Sequence, residues 1–136
     1  MDRAEMDRII NEHFVYEATD DIDGVLATLT DDVTHHVLGS PWGEISGKQT
    51  VKPFYEALFK DLTGEGVEPV ARWYGDDHLI DETLWTGHIN DGRVFGLEGK
   101  SGHVTFRLLH VFEFRDGLIR VEKVWSDIAS IAGQVE

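Results

Sequence analysis

The 136-residue chain has no cysteine, which excludes disulfides, thiolate metal sites and cysteine nucleophiles together. Basic residues are scarce, 12 Lys and Arg against 26 Asp and Glu, for a formal net charge of −14. A surface of that sign repels nucleic-acid phosphates and anionic lipid, so neither is expected as a partner. No apolar run approaches the roughly 20 residues of a membrane-crossing helix. The charged start MDRAEMDRII lacks the apolar centre of a secretory signal. The expectation is a cytoplasmic protein. There are no repeats and no low-complexity tract, and with 41% hydrophobic residues the chain can bury one real core. It reads as a single domain over residues 1–136.

What is present is dominated by Val104–Ile128, VTFRLLHVFEFRDGLIRVEKVWSDI. Asp116-Gly117 supplies the positive φ angles of a two-residue hairpin turn between two long strands. Taken at face value the turn sets Phe112 opposite Val121, His110 opposite Lys123, Leu108 opposite Trp125 and Phe106 opposite Asp127. Alternation then gives one apolar face with Phe106, Leu108, His110, Phe112, Phe114, Ile119, Val121, Lys123, Trp125 and Asp127. That face should look into the core, so its ionisable groups His110, Lys123 and Asp127 become candidates for a polar site.

Met6, Ile9, Ile10, His13, Phe14 and Tyr16 recur at helical spacing over residues 2–18. A second short helix follows, capped by Asp20 or Asp21, and VTHHVL (33–38) has the β-branched alternation of a strand. Gly39 to Gly47 reads as a loop. A third helix is expected from about Gln49 to Leu62, with Pro53 in its first turn. Gly64 and Gly66 should break the chain, and VEPVARWYG (67–75) and HLIDETLWTGHI (78–89) read as strands joined at Asp76-Asp77. Helices gathered early and strands late give an α+β fold. The expected architecture is a cone-shaped α+β barrel, a strongly curved, mostly antiparallel sheet wrapped around three N-terminal helices, with an apolar pocket inside.

This element order resembles the nuclear transport factor 2-like superfamily, and within it the SnoaL-like polyketide cyclases. The resemblance also rests on the DDV that opens the first strand, the Gly47-Lys48 that leads into helix three, FEFRDGLIR (112–120) and VWSDIASI (124–131). It covers nearly the whole chain and implies the fold more strongly than the reaction. In SnoaL-like cyclases a histidine on the penultimate strand and an aspartate on the last share the pocket, and His110 and Asp127 look like those two. Against ketosteroid isomerase, His110 resembles the oxyanion-hole aspartate position and His13 the oxyanion tyrosine. That family's base, an aspartate before a proline, is missing: Ser40 precedes Pro41. Trp125-x-Asp127 resembles limonene epoxide hydrolase, without a matching arginine–aspartate pair. The resemblance also implies a homodimer.

The chemistry implied is proton removal next to a carbonyl, which needs a base and donors aimed at the developing oxyanion, and no metal or cofactor. Asp127, desolvated by Trp125 and Phe106, is the candidate base or acid, and His110 its partner at the oxyanion. Lys123 is a further candidate for the enolate. His35 and His36 point to opposite faces; His36 is placed at the pocket and His35 is the alternative, with no third ligand to make a metal site. Either Glu82 or Asp81, on opposite faces of one strand, is a candidate second carboxylate, and Glu82 is the one placed at the pocket. His13, Tyr16, Trp42, Tyr55, Trp73 and Trp85 complete the expected pocket wall, suited to a small hydrophobic or aromatic carbonyl ligand. The competing functions are a non-catalytic ligand-binding or interaction module and an epoxide hydrolase.

Overall fold

In the computed structural model, which describes residues 1–136, Asp2 opens the first helix, α1 (Arg3–Ala18), by accepting the backbone N–H of Glu5 at 2.8 Å. Such a cap satisfies one of the amides that a helix start leaves unpaired. Met6, Ile9, Ile10 and His13 share its buried face, the stripe that their three- and four-residue spacing dictates. Asp21 caps α2 (Ile22–Ala27) in the same way, on Gly24 N at 2.9 Å. A Cβ on Gly24 would stand 2.3 Å from the Tyr16 ring, so only glycine lets α2 fold back this closely on α1.

The first strand, β1, runs from Leu29 to Leu38, and β2 (Glu44–Ser46) pairs with it from inside the segment expected to be loop. Helix α3 spans Lys48–Asp61. Pro53 lies in its second turn rather than its first, where it omits one helical hydrogen bond. Gly64 and Gly66 do not break the chain. They lie within β3 (Leu62–Tyr74), which absorbs them as a register shift against β4 (His78–Ile89), the use of glycine that a bulged strand favours. A 3₁₀ turn at Arg93–Phe95 precedes β5 (Gly102–Arg115), β6 (Leu118–Ser126) and a closing helix α4 (Ile128–Ala132). The buried Asp61 side chain ties the end of α3 to that connection, accepting the N–H groups of Asp91, Gly92 and Val94 at 2.7, 2.9 and 3.2 Å.

One sheet of order β2-β1-β6-β5-β4-β3 results. All neighbours are antiparallel except β1 and β6. The fold is α+β as expected, with the sheet curved over the helices but open at both edges. Two apolar clusters fill it. The larger joins α1, α2 and α3 to the sheet through Met6, Ile10, Val25, Phe54, Tyr55, Phe112 and Ile119. The smaller, with Ile89, Phe95, Val104, Phe106 and Ile131, closes the other end under α4.

The hairpin turn is as the sequence demands, with Asp116 at φ 53° and Gly117 at φ 76°. Its register is not. Phe114 pairs with Ile119, but the next residue, Glu113, pairs with Val121. Arg120 is therefore extra, a β-bulge, and its guanidinium turns aside to Glu113 at 2.7 Å. Beyond the bulge Phe112 faces Glu122, His110 faces Val124 and Leu108 faces Ser126. A one-residue slip exchanges the faces of a strand. Glu122, Val124 and Ser126 point inward, Lys123 and Trp125 point outward, and Asp127 leaves the sheet.

Gly117→Ala forces a side chain into the left-handed region and is expected to cost about 1–2 kcal/mol. Urea denaturation checks this as a lower midpoint at an unchanged slope.

Candidate functional site

Between the two apolar clusters lies a cavity of about 870 Å³. Phe14 of α1 and Phe54, Tyr55 and Leu58 of α3 line one side. Trp85, Phe106 and Leu108 line the sheet side, and the Gly64–Arg72 part of β3 forms the edge.

Its floor is a buried charged cluster around Glu122, which is 1% exposed. The bulge turns Glu122 inward, and the parallel pairing of β1 with β6 sets His35 beside it. Tyr55 donates its hydroxyl to Glu122 Oε1 at 2.7 Å. Three imidazole Nε2 atoms converge on the same carboxylate: His13 at 3.2 Å, His35 at 3.7 Å and His110 at 4.0 Å. His13 Nε2 also meets Glu17 Oε1 at 2.5 Å, an i,i+4 pair on α1.

The protonation state of His13 follows from its partners. The Thr28 hydroxyl donates to Val25 O at 2.6 Å, so at its 2.8 Å contact with His13 Nδ1 it must accept. Nε2 faces two carboxylates, so it too carries a proton. Burial opposes the imidazolium, but the charges of Glu122 and Glu17 outweigh it and hold His13 up at about 10. For Glu122 burial again opposes charge, and the His13 imidazolium overrides it, holding the carboxyl well below its ordinary range. His35 goes the other way: burial dominates and pushes its imidazole down, toward the neutral form.

Donor atoms of His13, Glu17 and Glu122 lie within 4.8 Å of one another, a set able to ligate a divalent cation. The cation would have to displace the proton that the two carboxylates hold on His13.

Above this floor the sheet presents a second polar row. Arg72, Asp81 and His110 are consecutive cross-strand neighbours on β3, β4 and β5. Arg72 bonds Asp7 at 2.8 Å and reaches Asp81 only at 3.4 and 3.5 Å. Tyr74 donates to the same Asp7 oxygen at 2.7 Å, which pins α1 against the sheet edge. His110 stacks on Phe112 with ring centroids 5.4 Å apart, and its buried Nδ1 has no partner.

Of the residues singled out by sequence, His110, Tyr55, Trp85, Phe106 and Leu108 line the cavity. His13 lies beneath the floor. Asp127 and His110, expected to share the pocket, are apart: Asp127 is exposed and caps α4, accepting Ser130 N–H at 3.2 Å. Lys123 and Trp125 sit on the convex face for the same reason, the Arg120 bulge. His36 points outward and His35 inward, because His35 pairs with Glu122 and His36 with Lys123. Glu82 is outside, paired with Arg107 at 2.8 Å, and Asp81 takes the inward face. Trp73 is 50% exposed on the convex side. Tyr16 packs in the core against Gly24, and Trp42 stands edge-on to Phe54 at 5.7 Å, off the cavity. The reading missed Glu122, Glu17, Thr83 and Arg72. An i,i+4 His13/Glu17 pair on a helix was legible; the bulge that selects Glu122 was not.

The model of the SnoaL-like domain matches residues 7–122. No curated protein matches the chain. A candidate polyketide cyclase of Silicibacter sp. TM1040 is 21% identical, over 96% of this chain and 95% of that one, with a TM-score of 0.81. An LEH-like epoxide hydrolase of M. tuberculosis shares 19% identity over 96% of this chain and 88% of that one, with a TM-score of 0.74. A hypothetical protein of ketosteroid isomerase-like fold from Catenulispora acidiphila, in complex with trimethylamine, shares 13% identity over 93% and 90%, with a TM-score of 0.75. At these identities the likeness is one of fold.

Glu122→Gln leaves the His13 imidazolium facing Glu17 alone and is expected to cost about 3–5 kcal/mol, read by chemical denaturation. The pH profile has a definite sign. His13 is raised from 6.5 to about 10, so its contribution is complete below 6.5 and is lost as pH climbs to 10. Glu122, depressed from 4.5, and His35, depressed from 6.5, both lose stability as pH falls below those ordinary values. Stability should peak near pH 6.5; a wild-type profile flat from there to pH 10 would contradict the His13 assignment.

Proposed function

The chain belongs to the SnoaL-like domain family, and from that premise we propose that it is a cofactor-independent acid/base enzyme of the cyclase, isomerase or lyase type. Its substrate is a small, enolisable carbonyl compound held in the cavity. The observation that carries this reading is the ionised Glu122 at the cavity floor, with His110 Nε2 at 4.0 Å and His110 Nδ1 unpartnered.

Glu122 is a poor proton acceptor while His13 and Tyr55 hold it ionised, so the base in this reading is His110. Its Nε2 faces the carboxylate, which orients the ring and stabilises the imidazolium that forms, and its free Nδ1 takes the proton next to the substrate carbonyl. His35, kept neutral by burial, has a single N–H, and with its Nε2 3.7 Å from Glu122 that donor helps to hold the carboxylate in place. The acid on the last strand is then Glu122 in place of Asp127. A protein of the same fold in complex with trimethylamine supports small-molecule binding by this fold.

A non-catalytic binding module is the second reading. It is favoured by the completeness with which Tyr55 and His13 already satisfy Glu122. A second copy of the chain is expected to pair on the convex face, where Trp73, Leu109 and Trp125 stand; a dimer mass in light scattering checks that.

Exchange of α-protons in deuterated water, followed by NMR over a panel of ketones and β-ketoesters, decides between the two readings. His110→Ala should slow exchange by at least about 100-fold, and Asp127→Asn should leave it within about twofold of wild type. The reverse pattern would return the chemistry to the strand end and sink the role of His110. Wild-type exchange no faster than buffer, with ligand binding intact, would leave the binding module.

A further inference from the structure

We propose that the cavity selects molecules bearing a protonated amine, and that Asp81, with Thr83 beside it, is the anchor for the ammonium group. Only the placement of a carbonyl next to that amine rests on the acid/base reading; the charge selection rests on the cavity itself.

The lining carries five carboxylates, Glu17, Asp20, Glu65, Asp81 and Glu122, against a single guanidinium, Arg72, and no lysine. Even with the His13 imidazolium beneath the floor the balance is negative. Low-dielectric walls focus that field on whatever enters. An anionic ligand finds no uncommitted cation, since the short bond of Arg72 goes to Asp7 at 2.8 Å.

Asp81 is the group left short. It is 3% exposed, and its only hydrogen bonds are the two contacts to Arg72 at 3.4 and 3.5 Å. Charge-assisted bonds of this type are usually about 2.7–2.9 Å long. A carboxylate this deeply buried ordinarily fills its acceptor sites with several good donors. Thr83 lies two residues further along β4, on the same inward face, and its buried hydroxyl has no partner. An ammonium group offers three N–H donors to one such carboxylate and one such hydroxyl. The aromatic walls Phe14, Trp85 and Phe106 line the same cavity, a setting that favours an organic cation over an anion. His110 is the cross-strand partner of Asp81. An amine anchored at Asp81 therefore brings its neighbouring carbons toward the His110 side of the lining, as an amino ketone would require.

Three probes that share a phenethyl group and differ in charge test this: phenethylamine, 2-phenylethanol and 3-phenylpropanoate, titrated by calorimetry and tryptophan fluorescence at neutral pH. The amine should bind at least about tenfold more tightly than the alcohol, and the carboxylate more weakly than either. Asp81→Asn should bring the amine down to the alcohol's affinity while leaving the alcohol unchanged, which also shows that the variant is folded. Thr83→Val should weaken the amine alone, by a smaller factor. Equal affinities for amine and alcohol, an amine preference that survives Asp81→Asn, or no amine binding up to about 10 mM would each overturn the proposal. None of these readouts involves proton transfer. Loss of the amine preference leaves exchange on neutral ketones standing, and absent exchange leaves the amine preference standing.

Discussion

A carboxylate removed from water is the constraint that the rest of this molecule answers to. An isolated buried Glu122 would cost several kcal/mol even after relaxation, so every element around it contributes a counterweight. α1 brings His13, α3 brings Tyr55, β1 brings His35 and β5 brings His110. The chain of dependence then runs outward: Thr28, at the end of α2, fixes the His13 ring, and its own hydroxyl is committed to Val25. Helices that share little else are thereby required to meet at one point. The apolar clusters supply the bulk of the driving force, but they would tolerate small shifts of these helices. A network of short, buried, charge-bearing contacts would not.

The same arrangement explains why there is a cavity where a core should be. The larger apolar cluster ends at the histidine layer, and the smaller begins on the other side, at Phe106 and Phe95. Apolar side chains filling the gap would leave Asp81, Thr83 and His110, already buried, with no partner for the hydrogen bonds they lack. Arg72 and Tyr74 tie α1 to the sheet through Asp7, and the Gly64–Arg72 part of β3 borders the cavity beyond that tie. Polar groups aimed into an otherwise apolar space are the pattern of a ligand site.

Much of this was legible beforehand. The element order, the α+β class and the Asp116-Gly117 turn follow from periodicity and turn chemistry alone, and the mostly antiparallel sheet was expected. His110, Tyr55, Trp85, Phe106 and Leu108 line the cavity, on strands or helix faces whose phase is set by many apolar neighbours. What failed has one physical origin in β6 and another in β1 and β4. A bulge adds a residue without a distinctive composition, and Arg120 looks like any surface arginine. Every residue after it was assigned to the wrong face. For His35 against His36, and Asp81 against Glu82, alternation allows two phases of nearly equal polarity. The phase is settled only by pairing with strands far off in sequence.

The bulge therefore selects the chemistry as well as the shape. With a regular hairpin the last strand would show the interior Lys123 and would leave Glu122 on the convex face, among Arg120 and Glu113. The floor would then carry a cation next to three imidazoles, a setting that raises no proton acceptor and attracts anions. One unpaired residue reverses the sign. It places an anion at the floor, recruits a proton onto His13, and adds Glu122 to a lining that already carries Glu17, Asp20, Glu65 and Asp81. Two residues of the hairpin end hold that choice in place from opposite sides: Phe114 and Ile119 must stay paired in the core, and Glu122 must lie beside His35 on β1. The distance between those two requirements is one residue longer on β6 than on β5, and Arg120 is the residue that makes up the difference.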